Sequence, residues 1–303
     1  MTYKLKIITD GDRLLDLLQD NFSWLQERGY NLGIKVDREE NASIINLELQ
    51  GYTLDRYFNQ DDIIYIFKHQ MSELLAEYIA ETWEKKLLWK EIIKNYKVIS
   101  DQDKQIVYYK SLEFLRLYNN NDSINLLLNF SRKNKIANKI LKYIEDNDFL
   151  VIEGFINFCM QDYLTEIKFA IELAYEELRN EKEYNEFIKL LRYFVETQPP
   201  RVFEVNLFMK EDGLFYLWDG NGVKIEEKYI DYYLDDIIMN DTSLDDVLIS
   251  ILITISPQKI VLHNTSAIDY SEPVEIIKKV FNEKIVNCSN CDRCLKLKSQ
   301  IEQ

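Results

Sequence analysis

Three cysteines stand within seven residues near the end of the chain: Cys288, Cys291 and Cys294, in the run C-S-N-C-D-R-C. One turn can present thiolates at that spacing, and under reducing conditions thiols so grouped bind metal or do redox work. A structural zinc site needs four ligands, and His263 offers the fourth. The segments KIVLH (259–263) and KIVNC (284–288) align residue for residue. Strands paired in that register put the imidazole roughly 5 Å from the Cys288 thiol. The expected set is therefore Cys3His with zinc. An iron–sulfur cluster is the weaker choice, because the fourth Cys and following Pro of ferredoxin-type runs are absent. Arg293 beside Cys294 lowers a thiol pKa, which keeps redox chemistry open, and free thiols on a frayed tail are the plain alternative. The fourth cysteine, Cys159, lies on a stripe from Ile152 to Leu178 at helical spacing and reads as a buried small apolar residue.

The elements that must position the cluster follow from periodicity. KIVLH, a helix PVEIIKKVF opened by Ser271 and Pro273, and KIVNC spell a βαβ unit, whose parallel strands end on one sheet edge. A short apolar helix capped by Thr242 and Ser243 and ending near Ser256-Pro257 precedes it. Upstream, Phe203, Val205, Leu207 and Met209 alternate with Glu204 and Asn206, KEDG turns the chain into LFYLWD, and GNG turns it into VKI. This predicts a three-stranded antiparallel meander. Asp219 to Gly222 is not a calcium loop, since the invariant glycine would fall on Lys224.

At the N-terminus, a strand at 4–9, a helix bearing Leu14, Leu15, Leu18, Phe22 and Leu25, and the runs GIKVD and SIINLEL joined by a REENA loop predict a small βαββ unit. Residues from about 61 to 195 read as helices, with Ser100 and Asp103 capping one and Asp122 starting another. The fold class is α+β and predominantly α-helical. Its expected domains are 1–58, 59–198 and 199–303, with the two α/β units free to share one core.

Lys plus Arg total 37 against 52 Asp plus Glu, a formal charge of −15, which repels nucleic acid and anionic lipid unless basic residues are segregated on one face. Arg132, Lys135, Lys139 and Lys142 form such a stripe, a candidate surface for an acidic partner. Phe130 and Tyr143 nearby are spaced like core residues. His69 falls opposite Phe67 and reads as solvated. No signal peptide and no membrane span is evident, so a cytoplasmic protein is expected. No Gly-rich phosphate loop and no nucleophile–base pair points to an enzyme.

The stretch 152–198, above all EKEYNEFIKLLRYFVETQPP after the INF..QDYL helix, resembles the YtxC family of sporulation-associated proteins from endospore-forming Firmicutes. The resemblance is specific over 150–225 and looser at LAEYIAETWEKKLLWKEIIKNY and KIVLHN. It implies a cytoplasmic protein tied to sporulation, with no established biochemical activity and no catalytic residues to carry over. Separately, the lack of catalytic motifs leads to the expectation of a non-enzymatic protein that binds a protein partner through its helical middle. The family pattern has a basic residue where this chain has Cys159 and Leu where it has Met160.

Overall fold

A computed structural model describes residues 2–10, 13–39, 42–51, 58–116, 122–209, 215–225, 244–263, 272–289 and 291–294. The architecture is the expected α+β, mostly helical one, with two small mixed sheets among the described residues. The chain divides into compact units Met1–Arg179 and Asn180–Gln303.

In the first unit, β1 (Thr2–Thr9), α1 (Arg13–Asn21), α2 (Trp24–Glu27), β2 (Tyr30–Glu39) and β3 (Ala42–Gly51) form the expected βαββ order. The hairpin is longer than its sequence suggested. Arg38 still pairs with Ser43 and Glu39 with Ala42, so REENA is largely strand. Helices α3 (Gln60–Tyr78), α4 (Glu84–Asn95), α5 (Asp101–Arg116) and α6 (Asp122–Asp146) follow, with a π-turn at Ile79–Trp83 between α3 and α4. Asn59 and Asp62 form a reciprocal capping box on α3, and the Ser100 hydroxyl accepts from the Asp103 amide at the start of α5.

A short strand, β4 (Phe149–Val151), then pairs in parallel with β1 and completes the sheet order β2-β3-β1-β4. Residues 1–58 therefore do not close a core by themselves. Leu5, Ile7, Ile45 and Leu47 pack with Phe67, Met71 and Leu75 of α3 in one cluster that continues to Leu178.

The stripe from Ile152 to Leu178 is not one helix. α7 (Ile152–Cys159) ends at Met160, whose non-helical φ of −118 and ψ of 43 rotate the chain before α8 (Gln161–Thr197) begins. Met160 is fully buried and Cys159 is exposed, so the residue expected in the core has exchanged places with its neighbour. α8 itself runs unbroken through the segment expected to be a second helix and stops before Pro199 and Pro200.

In the second unit, β5 (Glu204–Met209) and β6 (Phe215–Asp219) are antiparallel. The expected third meander strand is reduced to a single bridge between Trp218 and Lys224. After α9 (Leu244–Ile255) come β7 (Lys259–His263), α10 (Glu272–Phe281) and β8 (Ile285–Asn287), the expected βαβ unit. Meander and βαβ fuse into one sheet of order β6-β5-β7-β8. The caps expected at Thr242, Ser243 and Ser271 and the KEDG turn lie outside the described residues. One face of this sheet, with Val205, Leu207, Leu217, Ile260 and Leu262, packs on α9, α10 and the end of α8. Among the described residues, no helix is long and apolar enough to cross a membrane.

A candidate metal centre on the second sheet

The face of the second sheet turned away from that helix-packed core carries the site. β5 lies between β6 and β7, so Asn206 pairs with Trp218 on one side and Val261 on the other, and Phe208 pairs with Tyr216 and His263. Paired residues share a face. Asn206, Phe208, Trp218 and His263 are all buried although none belongs to the aliphatic core. The segment after β8 lies against them: Arg293 stacks its guanidinium over Trp218 at 5.5 Å, and Cys294 meets His263.

β7 and β8 pair in parallel with Ile260 opposite Ile285 and Leu262 opposite Asn287, the register that the two KIV runs predict. The Cys288 amide donates to the Leu262 carbonyl at 2.8 Å, so Cys288 leaves the ladder beside His263. His263 Nδ1 is 3.3 Å from Cys294 Sγ and 3.5 Å from Cys291 Sγ. Cys294 Sγ is 3.9 Å from Cys288 Sγ and 3.8 Å from Cys291 Sγ. All four donor atoms fall within 4.8 Å of one another. For a tetrahedral zinc with bonds of about 2.3 Å to sulfur and 2.0–2.1 Å to nitrogen, simple geometry gives edges of roughly 3.8 Å between sulfurs and 3.5 Å between sulfur and nitrogen. Four of the six spacings match those edges, the other two fall within 4.8 Å, and the sulfur separations are far too long for a disulfide. The group is close enough to hold a metal ion.

The sequence did not mark Asn206 as part of this arrangement, because a polar residue alternating with apolar ones on a strand reads as solvent-facing. Here it orients the imidazole. Its Nδ2 donates to Glu204 Oε1 at 3.2 Å and to the Asp219 carbonyl at 3.4 Å. Both partners only accept, so the amide oxygen must face His263 Nε2, 2.9 Å away. His263 then carries its proton on Nε2 and presents a bare Nδ1 to the thiols, the tautomer a metal ligand requires. Lys259 anchors the far end by donating to Glu204 Oε2 at 2.8 Å; that bond, against the cost of partial burial, holds Glu204 below the ordinary carboxylate range. Asn206→Ala is expected to weaken metal binding by about 10–100-fold, read by competition with a chromophoric chelator.

The electrostatics favour the ligand forms. Burial lowers the His263 pKa, and the Arg293 charge adds to this against an opposing contribution from Glu204. For Cys291, burial pushes the thiol up, but the amides of Cys294 and Arg293 and the neighbouring thiols outweigh it and hold the pKa below the ordinary thiol value. Gly222, at φ +85, lets Arg293 approach its backbone so closely that a Cβ there would clash with the guanidinium. Asp219 Oδ1 braces this turn by accepting from the amides of Asn221 and Val223, each at 2.9 Å.

A pH dependence follows for the metal-free protein. Because the folded pKa of His263 lies below 6.5, the unfolded chain takes up this proton first on acidification. The contribution is complete above pH 6.5 and is lost as pH falls through the lowered value. His263→Gln should flatten that part of a melting-temperature profile.

The four residues of the basic stripe do not share one fate. Arg132 turns inward: its guanidinium is 2.7 Å from Glu84, 3.4 Å from Glu166, and lies over the Tyr163 ring. The Tyr163 hydroxyl donates to the same Glu84 oxygen at 3.0 Å, and burial, then the Glu84 charge, drives its pKa well up. Lys139 pairs with Asp162 at 3.0 Å, while Lys135 and Lys142 are exposed. Arg132 therefore leaves the stripe because α4 supplies a buried acid that only the fold brings near. Phe130 is exposed rather than core, whereas Tyr143 packs edge-on against Phe155. His69 is solvated as expected, 3.5 Å from Glu73.

Comparison with known proteins gives three findings. The model of the YtxC-like family matches residues 69–286 of the chain. A curated relative, the uncharacterized protein YtxC of Bacillus subtilis (strain 168), is 30% identical over 162 residues, 52% of this chain and 55% of the relative. The chain thus spans about half the length of that relative. No solved structure matches. His263 and Asn206 fall inside the family match, and the three thiols lie beyond its end at Val286.

Proposed function

The chain belongs to the YtxC-like family, and on that premise we propose that it is a non-enzymatic, cytoplasmic, sporulation-associated binding protein whose second unit is closed by a structural zinc ion. The observation that carries the zinc reading is the set of four donor spacings around His263, Cys288, Cys291 and Cys294. All four tetrahedral positions are filled by protein atoms. A catalytic zinc keeps one position for water or substrate, so this set suits a structural role. Three thiolates favour zinc over hard cations, and an iron–sulfur cluster fits less well, because one of four thiolates is replaced by imidazole.

Zinc here joins the C-terminal end of the sheet to the segment carrying Cys291 and Cys294. The helical first unit is then the part that meets a protein partner, with Lys135 and Lys142 the exposed remnant of the stripe for an acidic one. Replacing zinc by Co2+ tests the site: tetrahedral thiolate coordination gives strong visible absorption, and a weak octahedral spectrum sinks the proposal. Co-purification from sporulating cells tests the partner.

A thiol-dependent redox sensor is the second reading, favoured by the lowered pKa of Cys291. A Cys288→Ser, Cys291→Ser protein that stays folded and complements a deletion strain argues against it.

A further inference from the structure

The sequence-read stripe lies on α6, but the fold gathers a different set of lysines in the first unit. Residues 85–97 hold five lysines and a single acid, Glu91, within a chain of formal charge −15. The outer side of α4 is thus a basic island of the kind that general acidity would conceal. Beside it, α4, α7 and α8 enclose a pocket of about 270 Å³. Lys90, Lys94 and Lys168 stand around it with Asn157, over an apolar floor that includes Leu164 and Ile167.

The charges in this pocket are not balanced internally. Lys90 reaches Glu153 at 3.0 Å, and Lys168 lies 3.9 Å from Glu91, the one acid in the lining. For Lys94, no ion pair is found among the described residues. Three lysines and an amide around an apolar floor, offset by Glu91 and Glu153, leave one net positive charge centred on Lys94, which suits a compact oxyanion attached to an apolar body.

Exposed apolar side chains on the same helices, next in sequence to lining residues though not part of the lining, bear on the source of that anion. Phe158, following Asn157, is 83% exposed, and Ile93, preceding Lys94, is 45% exposed. Trp89, one turn before Ile93, is partly exposed with its ring edge-on against Tyr108, and it is flanked in sequence by Lys85, Lys86 and Lys90, of which Lys86 pairs with Asp10. Lysines interleaved with exposed Trp, Ile and Phe form the pattern of elements that lie on an anionic bilayer, where the rings enter the acyl boundary and the ammonium groups stay at the phosphates. A Phe so far out of the protein surface fits insertion into a soft medium better than a mould set by a folded partner.

We propose that this pocket binds the phosphate of an anionic phospholipid and docks the first unit on a lipid surface through Phe158 and Ile93. The site is separate from the cysteine cluster and does not depend on it. It also answers the charge objection: a chain this acidic approaches such a surface only with its basic face forward.

The test is co-sedimentation of the full chain with vesicles of phosphatidylcholine containing phosphatidylglycerol, against vesicles of phosphatidylcholine alone, at low salt. Binding should appear only with the anionic vesicles and fall as salt rises. At about 1 kcal/mol, or roughly fivefold, per lysine near the surface, Lys94→Ala with Lys168→Ala should weaken it by about 25-fold. Phe158→Ser should weaken it too, while Lys135→Ala with Lys142→Ala leaves it unchanged. All these side chains are surface groups, and an unaltered circular dichroism spectrum shows that each variant has folded. No sedimentation, equal sedimentation with both vesicles, or indifference to the Lys94 and Lys168 changes overturns the proposal. So does calorimetric binding of inorganic phosphate or of poly-glutamate without vesicle binding, which would assign the pocket to a soluble anion or an acidic polypeptide instead.

Discussion

Cys294→Ser is expected to release the metal and loosen the second unit while the first stays folded. Cys294 is the buried thiol of the set and the one whose sulfur touches His263, Cys288 and Cys291 together. Its loss leaves three ligands, and the drop in affinity should exceed the roughly hundredfold cost of losing a group that merely orients a ligand. With metal at about 100 times its dissociation constant, linkage contributes about 2.7 kcal/mol to the folded state. Losing that lowers the melting temperature of a unit of this size by roughly 10 °C. The unit should not collapse outright, because Val205, Leu207, Ile260 and Leu262 keep their aliphatic core on the other face. Scanning calorimetry with and without chelator checks this. Cys159→Ser is the control, since Cys159 is exposed and belongs to the other unit.

The second large effect lies in the first unit, where Glu84→Ala should destabilise by about 3–5 kcal/mol. The Glu84 and Arg132 side chains are only 4% and 12% exposed, and removing the carboxylate strands a guanidinium away from water. Glu166, at 3.4 Å, offsets part of that cost, which argues for the lower end of the range. Changing Arg132 as well should recover a good part of the loss, because the penalty is mainly that of an unpaired buried charge. Lys142→Ala, on the exposed side of the same helix, should stay within about 0.5 kcal/mol. Urea unfolding of the four proteins separates these outcomes, and an Arg132→Ala effect no larger than that of Lys142→Ala would contradict the buried-pair account.

What the sequence showed and hid has physical reasons. The β7 and β8 register was legible because two nearly identical runs, KIVLH and KIVNC, left one alignment that buries Ile260 and exposes Val286. The pairing of His263 with the cysteines follows from that alignment. Asn206 was hidden because its role depends on β5 being central, and nothing local distinguishes a central strand that buries both faces from a half-solvated one. A polar residue two positions after Glu204 and opposite a tryptophan was the available signal.

Cys159 was misplaced because periodicity was carried across a break. Met160 leaves helical geometry with no Pro or Gly to announce it, and the stripe resumes one residue late. Arg132 was misplaced because its partner lies 48 residues away on α4. β4 was missed because three residues carry too little pattern to separate a strand from a helix end, yet it ties the helical segment to the first sheet.

The central claim is that His263, Cys288, Cys291 and Cys294 hold one zinc ion. Elemental analysis of protein purified without a metal-affinity tag or chelator tests it most directly. The geometry predicts about one zinc per chain in the native protein and a near-complete loss in Cys294→Ser. Less than about 0.2 equivalents in the native protein, or zinc retained in full by Cys294→Ser, would contradict it.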